Sequence, residues 1–213
     1  MNGRPKFSQN NEEEIIINLF NGKHGGTFCD IGSNDGVTLS NTFALANNYG
    51  WTGLLVEASP KAYERLLKNY ELIDRDIDLQ NVAIGKEDGK LEFWESGTLL
   101  GTNDVGLVST GVYSELTRWD SLKMPFNKIQ VPMTSFATML SRSRHTHFDL
   151  LSIDIEGMEL DVLPQIDFKA LKIQVAVIEF NGKDEQKYND IMFPQGFKLV
   201  SKNMENLIYT IFK

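Results

Sequence analysis

The segment Thr27-Phe28-Cys29-Asp30-Ile31-Gly32-Ser33-Asn34-Asp35-Gly36 confines this chain to a small set of folds. Phe28, Cys29 and Ile31 suit a short buried strand, while Gly32 and Gly36 permit positive φ and let a ligand approach the backbone closely. A helical stretch follows, Asn41 to Tyr49, closed by Gly50. Strand, glycine turn and helix make the first unit of a doubly wound sheet, in which a ligand sits outside the carboxyl end of the strand.

The rest of the chain keeps that alternation. Asn11 followed by Glu14 has the form of a capping box, and Ile15, Ile16, Leu19 and Phe20 give a short helix its apolar face, so residues 1–26 read as a helical extension. Trp51 to Glu57 is a second buried strand. Ser59 and Pro60 then supply an N-cap and first helical position, with Ala62, Tyr63, Leu66 and Leu67 on the helix face. Asp78 to Ile84 reads as the third strand. Lys90 to Glu95 and Lys128 to Met133 alternate in period two, the latter demoted to an edge by Pro132, and Thr134 caps a helix through Leu140. Phe148 to Ile155 and Lys172 to Phe180 are continuously apolar, as strands buried on both faces of a parallel sheet are. Helices follow each, Glu159 to Leu163 and Asp184 to Phe193, and Phe197 to Ser201 with Leu207 to Phe212 close the chain as an antiparallel pair. The expected class is α/β with a mostly parallel sheet.

With 213 residues and 41% hydrophobic content, one core is the default, and residues 1–213 read as a single domain. The formal net charge of −8 disfavours attraction to nucleic acid or an anionic membrane surface, and neither is an expected partner; a homodimer stays open. No apolar run approaches a membrane span and Met1 to Asn11 is polar, so the expected compartment is the cytoplasm. Cys29, the only cysteine, falls within a strand and reads as a small buried hydrophobe.

The turn itself bears on ligand choice. Its spacing is D-x-G-x-x-x-G rather than G-x-G-x-x-G, and Asp30 and Asp35 put negative charge where the phosphates of a dinucleotide would lie. A ligand with a cationic end fits better, and S-adenosylmethionine (SAM), with its ammonium and sulfonium groups, is such a ligand. Asp30, Glu57, Asn81, Asp154 and Glu179 stand at the carboxyl ends of expected strands, which share one rim in an open parallel sheet. Glu57 stands where a carboxylate takes both ribose hydroxyls, and Asn81 with Val82 and Ala83 stands where an adenine ring lies.

The blocks DIGSNDGVTLSNT, GWTGLLVEASP, NVAIG and LLSIDIEGMELDVL, in that order and spacing, resemble FkbM-family methyltransferases. The resemblance spans nearly all of residues 15–213. It implies a class I Rossmann-like fold, a mostly parallel seven-stranded sheet whose last strand is antiparallel, with helices on both faces. It also implies SAM-dependent methylation of an oxygen, commonly a hydroxyl of a sugar or other natural-product-like metabolite. By position, Asp30, Gly32, Ser33, Asn34, Asp35 and Gly36 would surround the methionine part of SAM, Glu57 and Ala58 the ribose, and Asn81, Val82 and Ala83 the adenine. Asp154 would lie near the methyl group. Ser33 stands where alanine is common.

Asp154, Glu156 and Glu179 are the candidate general bases; His24, His145 and His147 read as surface residues. Asp154, Glu179 and Asn181 also resemble the carboxylate, carboxylate and amide set that binds a divalent cation in catechol-type O-methyltransferases. The competing reading, preferred on sequence, has Asp154-Ile155-Glu156-Gly157 capping the following helix and satisfying backbone N–H groups. The acceptor would be recognised by a loop, residues 97–127, with Thr102, Ser109, Tyr113, Arg118 and Trp119; Trp119 reads either as a stacking platform for a sugar or as a plug beneath the loop. A catalytically silent SAM-binding module remains the alternative function. An NAD-dependent or nucleotide-sugar oxidoreductase is disfavoured by the turn spacing and the lack of a Tyr-x-x-x-Lys pattern.

Overall fold

The computed structural model describes residues 6–73, 75–97 and 106–212. In chain order its elements are α1 (Glu12–Leu19), β1 (Thr27–Ile31), α2 (Phe43–Tyr49), β2 (Thr52–Glu57), α3 (Pro60–Tyr70), β3 (Ile77–Asn81), β4 (Ala83–Ile84), β5 (Gly89–Ser96), β6 (Phe126–Thr134), α4 (Phe136–Ser141), β7 (Leu150–Ile153), α5 (Glu159–Val162), β8 (Val175–Glu179), α6 (Glu185–Met192), β9 (Lys198–Lys202) and β10 (Asn206–Thr210). A 3-10 helix, Tyr113–Leu122, precedes β6.

Seven strands form the main sheet in the order β3-β2-β1-β7-β8-β10-β9. The pairs β1–β2, β1–β7, β2–β3 and β7–β8 are parallel, while β10 runs antiparallel to both β8 and β9. This is the seven-stranded, mostly parallel sheet with its last strand reversed that the family resemblance implies. Period-two alternation sends side chains to two cores. Phe28, Leu55, Leu150, Val177 and Ile208 pack with α1, α2 and α3, whereas Cys29, Leu54, Leu151, Ile178 and Leu207 pack with α4, α5 and α6. Helices therefore cover both faces, which is why the central strands lack polar positions until their carboxyl ends. Cys29 is fully buried, and burial followed by the neighbouring Asp30 pushes its thiol pKa far up, leaving a thiol with little nucleophilic character.

Three local expectations are corrected. The run read as one strand, Asp78 to Ile84, divides at Val82: β3 stays in the main sheet, while β4 joins a second sheet ordered β4-β6-β5. The divide has a visible cause. Asn81 Nδ2 donates to the carbonyls of Glu57 (2.8 Å) and Ala58 (3.3 Å), and Val82 N donates to Glu57 O, so the chain turns around the end of β2. The Asn11–Glu14 capping box does not form, because Asn11 sits at φ 70 with no side-chain cap; Ser8 Oγ instead accepts from Glu13 N while Glu13 Oε2 accepts from Phe7 N. Ser135, not Thr134, caps α4 through Thr138 N, and Thr134 Oγ1 donates to Asp88. Pro132 lies outside the two-residue β4–β6 pairing, on a stretch of β6 bonded along β5 alone.

Candidate functional site

The sheet order reverses its direction of growth between β1 and β7, and a cavity of about 280 Å³ opens there, at the carboxyl ends of β1, β2, β7 and β8. Gly32 closes the floor. Its φ is +87, and a Cβ placed on it would stand 1.6 Å from the Asp154 carbonyl oxygen, so only glycine lets β1 and β7 come this near. Asp154 N donates to Ile31 O at 2.9 Å, and Gly32 N and Ser33 N both donate to Val56 O. Three strand ends are thus locked at one point.

Asp30 is 5% exposed and accepts from Thr42 Oγ1 at 2.6 Å. Its pKa is pushed up to about 6 by burial, against the hydroxyls of Thr42 and Ser152, and no cation appears among its partners in the described residues. Glu57, equally buried, accepts from Ser59 N (2.6 Å) and Asn34 N (2.8 Å), yet burial outweighs these bonds and raises its pKa to about 7. The Arg65 charge and the Ala58 backbone also favour its ionised form, and a carboxylate's roughly four lone-pair sites still leave Glu57 room for a further donor. Beside it, Asn34 Nδ2 is buried with no partner, though Asn34 Oδ1 accepts from Arg65.

Most sequence-proposed residues line this cavity: Asp30, Gly32, Ser33, Asn34, Glu57, Ala58, Val82, Ala83, Asp154, Glu156, Glu179 and Asn181. Three others build its walls without facing it. The carboxylate of Asp35 accepts from Val37 N, Thr38 N and Thr38 Oγ1 and so folds the turn after β1. Gly36, at φ +76, fits against Leu66 and Tyr70, and Asn81 braces the end of β2. His24, His145 and His147 lie away from the cavity. Of the loop residues, Ser109, Arg118 and Trp119 line the cavity, Tyr113 is 70% exposed, and Thr102 lies outside the described residues.

The acidic end of the cavity is crowded. One carboxylate oxygen from each of Asp154, Glu156 and Glu179 falls within 4.8 Å of the others. Burial raises all three pKa values well above the ordinary range, and mutual repulsion adds to it: Glu156 and Glu159 act on Asp154, Glu179 on Glu156, Asp154 and Glu159 on Glu179. Arg118 offsets part of this, contacting Glu156 at 3.1 Å and Glu115 at 2.9 Å, while Lys183 binds the other oxygen of Glu115 at 3.0 Å. Residues that sequence reasoning did not find include Leu91 and Phe93, which the second sheet brings to the cavity, Gln9 from ahead of α1, Glu205 from just before β10, and Asn206 from the start of β10, where it pairs with Glu179. Their positions depend on long-range pairing, and no local pattern announces them.

The helix-capping reading of Asp154 and Glu156 is also corrected. Glu159 supplies the acceptor: its Oε1 takes Ile155 N at 3.1 Å and Gly157 N at 3.0 Å. The two acids of DIEG, Asp154 and Glu156, are left facing the cavity.

Among solved structures, the chain is similar to a precorrin-6y C5,15-methyltransferase from Geobacter metallireducens GS-15, at 12% identity and a TM-score of 0.52, covering 97% of this chain and 90% of that one. The METTL16 methyltransferase domain gives 12% identity and 0.51, covering 95% and 67%. A methyltransferase FkbM from Methylobacillus flagellatus KT gives 13% identity and 0.49, covering 87% of this chain and 43% of that one. At these identities the likeness concerns the fold. No curated protein matches the sequence. The Methyltransferase FkbM domain, by contrast, matches residues 30–199, a span that starts on Asp30 and takes in every strand-end acid and amide described above. By that match, over a sheet of the class I methyltransferase order, the chain belongs to the FkbM family of methyltransferases.

Proposed function

We propose that this protein is a SAM-dependent O-methyltransferase acting on a hydroxyl group of a small molecule, a sugar, glycan or natural-product-like metabolite. The observation that carries the reading is a pair of buried acids at the ends of β1 and β2 whose pKa values burial raises, Asp30 with no cation among its described partners and Glu57 with Arg65 offsetting only part of the cost. Asp30 and Glu57 are left needing a ligand with a positive end and hydroxyl donors, and the orphaned Asn34 amide beside them needs an acceptor. The residues present fit SAM. Asp30, Gly32, Ser33 and Asn34 would hold its amino-acid part, Glu57 and Ala58 its ribose, and Val82 and Ala83 its adenine against Leu91 and Phe93.

When bound, SAM supplies an activated methyl group together with its leaving group. The protein's task is then to align the acceptor oxygen, and proximity of this kind is worth about 7–11 kcal/mol in favourable cases. Arg118, Trp119, Asn181 and Asn206 surround the acidic half of the cavity with the hydrogen-bonding and ring surfaces that a polyhydroxyl acceptor requires. Asp154, Glu156 and Glu179, their pKa values raised well above the ordinary carboxylate range by burial, are the groups placed to take the hydroxyl proton, a contribution of roughly 10²–10⁴-fold.

The test is transfer of a labelled methyl group from SAM to a panel of mono- and oligosaccharides, polyketides and peptides, with Asp30→Ala as control. Label on a hydroxyl-bearing acceptor, lost in Asp30→Ala, is the expected result. Transfer that survives in the variant would show that the cofactor is held elsewhere.

A further inference from the structure

We propose that Asp154, Glu156 and Glu179 form a binding site for one oxygen-seeking divalent cation, such as magnesium, manganese or calcium, at the acceptor end of the cavity. The geometry suits it. Ligand oxygens on opposite sides of such an ion stand about 4–5 Å apart, given metal–oxygen distances of roughly 2.0–2.6 Å. The three carboxylate oxygens converge within 4.8 Å of one another, each from a different backbone position, two on the loop after β7 and one at the end of β8.

A second observation points to a ligand independently of that convergence. Glu179 is 4% exposed, and its Oε2 has no hydrogen-bond partner. Asn181 and Asp154 both lie close enough to Glu179 to act on its charge through hydrogen bonding, yet Glu179 Oε2 and the buried Asn181 Nδ2 are left without a well-formed bond of their own. An unpartnered buried carboxylate oxygen is costly to a folded protein and persists where something else fills its coordination. Helix capping does not account for these acids either, since Glu159 satisfies the backbone of the turn.

Charge supports the same assignment. Glu115, Asp154, Glu156, Glu159 and Glu179 interact with one another across this end of the cavity, and the described residues bring two cations to them, Arg118 and Lys183. Arg118 is shared between Glu115 and Glu156, and Lys183 pairs with Glu115. A bound divalent cation would offset most of the remaining excess. Resting on the methyltransferase reading above, this site narrows the acceptor: two neighbouring oxygens of a diol or sugar would enter the open part of the cation's sphere.

The experiment uses the full chain, freed of metal with EDTA and titrated with Mn²⁺ without SAM, following loss of the free-ion signal by electron paramagnetic resonance. One saturable site per chain is expected, weakened at least about tenfold in Glu179→Gln and in Asp154→Asn and unchanged in Glu64→Gln, a substitution outside the cavity. If Glu179→Gln does not fold by circular dichroism, Asp154→Asn carries the comparison. Absence of saturation up to roughly 10 mM, or equal affinity in both cavity variants, overturns the site in favour of carboxyls that simply share protons. Calorimetry with SAM on the same samples separates the two readings: SAM binding without Mn²⁺ binding removes the cation site alone, and Mn²⁺ binding without SAM binding removes the cofactor assignment alone.

Discussion

Asp30→Asn should make the unliganded protein more stable at pH 8 while removing its affinity for SAM. Asp30 is 5% exposed and bonded to hydroxyls, with no cation against it among the described residues, and its pKa rises from an ordinary 3.8 to about 6. The folded state therefore holds the proton more tightly than the unfolded chain does. Stability is unaffected well below pH 4, declines as the pH climbs from about 4 to about 6, and carries the full penalty above that. A rise from 3.8 to about 6 corresponds to about 3 kcal/mol. Asparagine keeps the shape and one acceptor for Thr42, and imperfect bonding to the two hydroxyls returns about 1 kcal/mol. The expected net gain at pH 8 is about 2 kcal/mol, or about 4–8 °C in Tm for a protein of this size. Urea unfolding from pH 4 to 8 measures it, with the gain absent at pH 4. A variant less stable than the parent by more than about 1 kcal/mol at pH 8, or a difference flat in pH, would refute the argument that Asp30 is held at a cost for a cationic ligand.

Other outcomes are expected from the same geometry. SAM affinity should rise by about tenfold or more between pH 5.5 and 8 as Asp30 and Glu57, with pKa values of about 6 and 7, become charged, and calorimetry across that range checks it. Gly32→Ala, whose Cβ would strike the Asp154 carbonyl at a φ of +87, should lose about 3 kcal/mol or more, read from the urea midpoint. Trp51→Ala empties a fully buried site between α1 and β1 and removes the Nε1 bond to Lys23 O, for a loss of about 3–5 kcal/mol in the same measurement. Arg118→Ala removes the contacts that tie Arg118 to Glu115 and Glu156 and should speed amide exchange over Tyr113–Leu122 more than over β1 or β7.

The main sheet was legible because each of its central strands is a short apolar run ending in a polar residue, a pattern that only burial on two faces produces. The site was legible for the same reason: Asp30, Glu57, Asp154 and Glu179 are the points where those runs stop. What sequence did not disclose is set by contacts between distant residues. Asn81 looked like the middle of a strand, yet its side chain bonds the end of β2 and turns the chain into a second sheet, which then delivers Leu91 and Phe93 to the cavity. Asp35 and Asp30 looked alike, but one is spent on Val37 and Thr38 and the other faces the cavity. In DIEGMELDVL the third acid, Glu159 at the start of α5, performs the capping that the first two were expected to do, and the link from Glu156 through Arg118 and Glu115 to Lys183 joins three separate segments.

These acids take on a single meaning if a nucleoside ligand with a positive end occupies the β1 and β2 strand ends. Asp30 would meet its charge and Glu57 its ribose, with Gly32 allowing the approach. Isothermal calorimetry of the purified chain with SAM, and separately with NAD, tests this directly. Heat from SAM with one site per chain, abolished in Asp30→Ala, and none from NAD is the expected result; heat from NAD but not from SAM would contradict the cofactor assignment.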